Sequence, residues 1–200
     1  MSLATEDLSA LEARTRALLA SDALTTPTRA ALQGRMDQRF EPTHLLSPDQ
    51  RRTLEAACLR LIPEPDLVRR TALPAAFEAK LAKGLFRGWR YAEAPDDLTL
   101  YRAGLDALDV AARAATGTAF ADLATEPQDK LLKVACKGEP PFDGSALDHW
   151  FEELLTALTE LYYAHPLVQV SIGYDGMADA HGPQAVGFQA VSAEAGRLGR

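Results

Sequence analysis

Apolar residues recur at three- and four-residue spacing along most of the chain, the period of amphipathic helices. Over residues 5–20, Leu8, Leu11, Leu18 and Leu19 share one side, with Glu12, Arg14 and Arg16 elsewhere. Thr26 and Pro27 open a second helix, with Thr as N-cap and Pro at the first helical position, running to about Gln38. Glu41, Pro42, Thr43 and His44 break it. Residues 1–45 are thus expected to form a helical arm, or a hairpin of helices, ahead of a helical domain over residues 46–200.

Ser47-Pro48-Asp49-Gln50 has the letters of a capping box: Ser caps, Pro follows, and Gln three positions on reaches back. Leu54, Ala57, Cys58, Leu61 and Ile62 then form a buried stripe, which Pro63 and Pro65 are expected to end. A short helix is expected over residues 73–83, stopping at Gly84. The clearest helix starts at Leu98, capped by Asp96 or Asp97, with Tyr101, Leu105, Leu108, Ala112 and Ala115 on one side. Gly117 stands where a left-handed terminating residue belongs. Gly104 lies inside this helix, where glycine costs about 1 kcal/mol relative to alanine. That cost is tolerable where another helix approaches closely.

Thr125-Glu126-Pro127-Gln128 repeats the capping letters and opens a helix to about Lys137, ended by Gly138, Pro140 and Pro141. Ser145 is expected to cap the next helix, whose apolar side holds Leu147, Trp150, Phe151, Leu154, Leu158, Leu161 and Tyr162. Beyond Pro166 the pattern changes: six of the 13 glycines fall from Gly173 onward, 174–176 reads as a turn, and 186–188 carries a weak strand signal. The class is all-α, an irregular multi-helix bundle with a Gly-rich, mostly irregular C-terminal segment.

Composition narrows the function classes. The 200 residues are 47% hydrophobic and 24% charged, as in ordinary globular proteins. A net charge of -7 argues against nucleic acid, which needs clustered cations. The densest exception, Phe86-Arg87-Gly88-Trp89-Arg90-Tyr91, reads better as a locally packed loop than as a base-stacking patch. Cys58 and Cys136 each sit among apolar neighbours, where a buried thiol is the default; a disulfide between them is not expected. No apolar run is long enough for a membrane span, and the acidic opening Met-Ser-Leu-Ala-Thr-Glu-Asp does not read as an export signal. Arg51-Arg52 is a twin arginine by letter alone. A cytoplasmic location is the expectation from these residues.

Catalytic motifs are not found. No G-x-G-x-x-G follows a strand and no G-x-S-x-G occurs. None of His44, His149, His165 and His181 has a second His three or four residues away. Asp148, His149, Glu152 and Glu153 form the one dense cluster, either half a carboxylate metal site or the solvated side of a helix. His165-Pro166 reads as a helix terminus, where a cation favours the dipole and proline blocks continuation. Tyr101, Tyr162, Tyr163 and Tyr174 read equally as core or as interface side chains, since each joins an apolar ring to a hydroxyl.

Several stretches, taken in order, resemble one family. These are Leu54-x-x-x-Cys58-x-x-Leu61-Ile62-Pro63, Tyr101-Arg102-Ala103-Gly104-Leu105-Asp106-Ala107-Leu108-Asp109, and Gly117-x-x-Phe120-x-x-Leu123 with Gln128-x-x-Leu131-Leu132. Tyr162-Tyr163-Ala164-His165-Pro166 and Ile172-Gly173-Tyr174-Asp175-Gly176 complete the set. Together they are similar to the gluconate 2-dehydrogenase subunit 3 family over about residues 46 to 190. The resemblance implies a small, non-catalytic accessory subunit. It would bind, stabilise or help mature a large FAD-dependent dehydrogenase of sugars, sugar acids or polyols. FAD would reside in that partner and no cofactor in this chain, and a cytochrome subunit often receives the electrons.

Many family members carry a twin-arginine export signal, which implies the periplasm; here residues 1–45 stand in that place. No catalytic residue is carried over. The motifs make Tyr101, Arg102, Tyr162, Tyr163, His165, Pro166, Gly173, Tyr174 and Gly176 the candidates for a partner interface, with no direct insertion into membrane. Two alternatives stand beside this reading. One is a free-standing helical metal enzyme built on the His149 cluster, with His165 as a further ligand. The other is a stand-alone helical protein that has lost its dehydrogenase.

Overall fold

In the computed structural model, residues 7–86, 95–143, 147, 149–174 and 179–181 are described. Helices dominate, and no strand occurs among the described residues. The chain divides into two compact units, residues 39–164 and residues 1–38 with 165–200.

The unit formed by 39–164 holds α3 (Pro48–Leu61), α4 (Pro65–Arg70), α5 (Leu73–Ala82), α6 (Asp97–Thr116), α7 (Thr125–Cys136) and α8 (Trp150–Tyr163). A 3-10 turn, Phe120–Asp122, precedes α7. Helix α3 packs on α5, α6 and α7, while α8 packs on α5 and α6. Leu54, Phe77, Leu105, Leu108, Phe120, Phe142, Trp150, Leu154, Leu158 and Tyr162 are fully buried. Each such side chain contributes roughly 1.5–3 kcal/mol of burial free energy before ordering entropy is subtracted.

Helix α3 starts as its letters require. Ser47 Oγ accepts from the Gln50 N–H at 3.1 Å, and Gln50 Oε1 accepts from the Ser47 N–H at 3.0 Å. Asp96 caps α6, and Gly117, at φ 77, ends it. Gly104 meets Trp150: a Cβ there would lie 2.1 Å from the indole ring. The close approach therefore involves one large side chain, whose ring stacks on Phe142 at 6.0 Å. The buried Trp150 indole N–H has no hydrogen-bond partner among the described residues.

Several expectations need correction. Helix α7 begins at Thr125 with Ala124 as N-cap, and no side chain caps it. Gln128 turns inward instead and donates to the Phe120 carbonyl at 2.9 Å. Helix α8 begins at Trp150, with His149 as N-cap and Leu147 in a turn before it; Ser145 lies outside the described residues. Pro65 does not merely end α3 but starts α4, for a proline at N1 or N2 gives up only an N–H that the helix leaves unpaired anyway.

The second unit holds α1 (Leu8–Ala20), α2 (Thr26–Met36) and α9 (Pro166–Ser171). Helix α1 packs on both α2 and α9, and Arg14 Nη2 donates to the Val170 carbonyl at 3.1 Å. Leu11, Leu19, Leu32, Met36, Leu167 and Val168 are buried. Thr25, not Thr26, is the N-cap of α2. Its backbone N–H and hydroxyl, with the Thr28 hydroxyl, donate to the Asp179 carboxylate at 2.8, 2.7 and 2.6 Å. These bonds, from the Thr25 and Thr28 hydroxyls first, lower the Asp179 pKa to about 2. The strand signal at 186–188 lies outside the described residues.

Candidate partner interface

The sequence candidates separate by exposure. On α6, Tyr101 is buried: its ring meets Phe77 edge-on at 4.8 Å, and its hydroxyl lies 3.5 Å from the Glu153 carbonyl. On α8, Tyr162 is buried and donates to Glu64 Oε2 at 2.9 Å. Burial first, and the bond to the Glu64 carboxylate second, push its phenol pKa up. Both tyrosines are core residues whose hydroxyls find partners. Tyr163, the next residue, is 47% exposed and packs edge-on against the Tyr162 ring.

The stretch from His165 to Tyr174 belongs to the other unit. His165 is the N-cap of α9, its Nδ1 accepting from the Leu167 N–H at 3.2 Å. Pro166 is buried and opens this helix. The expected helix terminus is thus a helix start: α8 ends at Tyr163, and the imidazole acts as an acceptor. At the far end Gly173 takes φ 71, and the Tyr174 N–H reaches back to the Gln169 carbonyl at 2.9 Å. This six-to-one bond is a Schellman closure, which needs a residue tolerant of the left-handed region. It leaves Ile172 and Tyr174 about half exposed, at 50% and 51%. Gly176 lies outside the described residues.

Arg102 is anchored from α6. Its Nε donates to the Leu45 carbonyl at 2.8 Å, and its Nη2 donates to the same oxygen. Nearby, Arg51 clamps Glu78 with Nε at 2.9 Å and Nη2 at 2.8 Å, and Nη2 also donates to the Thr43 carbonyl. The Thr43 hydroxyl donates to the same carboxylate. Burial raises the Glu78 pKa, yet the bonds from Arg51 and Thr43 outweigh it and hold the group below its ordinary value. Between these anchors runs a groove of about 480 Å³, lined by His44, Leu45, Leu46, Ser47, Pro48, Gln50, Arg51 and Arg102. Of these, the family resemblance marked only Arg102, as a candidate for the partner interface. Arg51 stands far from it in the chain, and the packing of α3 on α6 brings the two together.

Glu152 and Glu153 occupy the first turn of α8, where the helix N-terminus favours anions. Asp148 lies outside the described residues. Among the described residues, no three or more His, Cys, Asp and Glu side chains are grouped to hold a metal. Nor is any helix among them long and apolar enough to cross a membrane. Cys58 is buried and free, its pKa raised by burial first and by Glu55 second. Cys136 is free too but exposed, at the last residue of α7.

A family model described as gluconate 2-dehydrogenase subunit 3 matches residues 48–177. No curated protein and no solved structure is a match for the chain.

Proposed function

Because the chain belongs to the gluconate 2-dehydrogenase subunit 3 family, we propose that it is an accessory subunit that binds and stabilises a large FAD-dependent dehydrogenase of sugars, sugar acids or polyols. The observation that carries this reading is the family match, which runs from the start of α3 to just beyond Tyr174. The flavin would belong to the partner, and this chain would supply surface rather than chemistry.

The exposed side chains support that role. Tyr163 on one unit, and Ile172 with Tyr174 on the other, place large apolar groups in water. Aromatic side chains of this kind are enriched at the centres of protein interfaces. The buried tyrosines Tyr101 and Tyr162 act through the packing that holds α6 and α8. Affinity purification of the tagged chain from its native cell tests the reading. A large chain carrying flavin absorbance is expected to co-purify, and recovery of the chain alone would overturn the proposal.

A further inference from the structure

The groove beside α3 and α6 has a charge pattern at odds with the rest of the molecule. The chain as a whole carries a net charge of -7. Yet two guanidinium groups and an imidazole line this groove, and no carboxylate does. Two acids bonded to its lining are already engaged. Glu78 accepts both forks of Arg51, and Asp106 accepts the Gln50 side-chain amide at 3.0 Å on each oxygen.

The two arginines are committed in the same partial way. A guanidinium has five N–H donors in a planar fork. Arg102 spends Nε and Nη2 on the Leu45 carbonyl, a neutral acceptor. Arg51 spends Nε and Nη2 on Glu78 and the Thr43 carbonyl. Neither uses Nη1 on a described residue, so each retains a charged amino group with two donors. Their other bonds fix the planes of both forks in advance, which cuts the ordering cost of binding. Arg102 forms no ion pair with any described residue, whereas Arg51 is paired with Glu78.

We propose that this groove is a carboxylate-binding site in which Arg102 supplies the principal charge and Arg51 a second donor pair. Arginine suits this ligand because its planar fork matches a carboxylate in two parallel bonds. The ligand is a carboxylate on a free small molecule or one presented by an acidic side chain of another protein. The inference is independent of the dehydrogenase reading, since it rests on the groove alone.

The test is a nuclear magnetic resonance titration of the full chain, following the arginine Nε–H and Gln50 side-chain signals. Sodium acetate forms one arm and a short glutamate-rich peptide the other, each against sodium chloride at matched ionic strength. A saturable shift at Arg102 and Gln50 in the acetate arm is expected, weakened about tenfold or more in Arg102→Gln, because hydrogen bonds to charged groups are worth about that much. Arg102→Lys, which keeps the charge but loses the fork, is expected to fall between them. Arg113→Gln, on the same helix but outside the groove, is expected to bind as the parent does. Tighter saturation by the peptide than by acetate would assign the ligand to a protein partner, and the reverse to a free acid. Shifts no larger than those from chloride in both arms would overturn the proposal. So would unchanged affinity in a folded Arg102→Gln.

Discussion

Two residues test whether the packing described is the packing that holds the molecule. Gly104 sits under the Trp150 indole with no room for a methyl group. Alanine is the better helix former by about 1 kcal/mol, so propensity alone would make Gly104→Ala stabilising. The collision reverses the sign: overpacking of this kind costs about 1–3 kcal/mol or more. A lower urea midpoint for Gly104→Ala is expected, with the opposite shift showing that the indole lies elsewhere. Glu78 is the second test. Its pKa is lower in the folded chain than in the unfolded one. Its ionisation therefore stabilises the fold above the unfolded value, about 4.3, and that contribution disappears as pH falls through the folded value. Glu78→Gln is expected to be less stable by about 1–3 kcal/mol at neutral pH, since it weakens bonds to a charged arginine. The gap between variant and parent should shrink as urea midpoints are taken down to acid pH. A gap that stays constant would mean that ionised Glu78 is not the group Arg51 holds.

Among the elements, helix ends separate what could be read in the sequence from what could not. Ser47 and Gln50 form both bonds of their capping box. Thr125 and Gln128 have equivalent letters and form neither. The difference is tertiary: the Gln128 amide is drawn to the buried Phe120 carbonyl, a partner that linear sequence does not reveal. Ser47→Ala is therefore expected to cost about 1 kcal/mol. Thr125→Ala, an exposed side chain with no cap bond, should stay within about 0.5 kcal/mol. Equal losses measured by urea denaturation would contradict that distinction. Pro65 and Pro166 show a similar limit. Proline stops one helix and starts another with the same ring, and helices of six residues are too short to display a period. Long stripes such as that of α6 were legible because burial on one face imposes a repeat. The groove was not, because Arg51 and Arg102 meet only through the packing of α3 on α6.

At the scale of the whole molecule, the helices meet the all-α expectation, and the family match places the chain among gluconate 2-dehydrogenase subunit 3 proteins. Apolar patterning built the two units and buried Tyr101 and Tyr162, while Tyr163, Ile172 and Tyr174 stayed exposed. Exposed aromatic and apolar side chains of that kind suit the docking role proposed above. Co-expression of the chain with a large FAD-dependent dehydrogenase from the same cell, followed by size-exclusion chromatography, tests the claim most directly. The account predicts one peak in which both chains and the flavin absorbance travel together. Two separate peaks, with the flavoprotein equally soluble and equally flavin-loaded whether or not this chain is present, would contradict it.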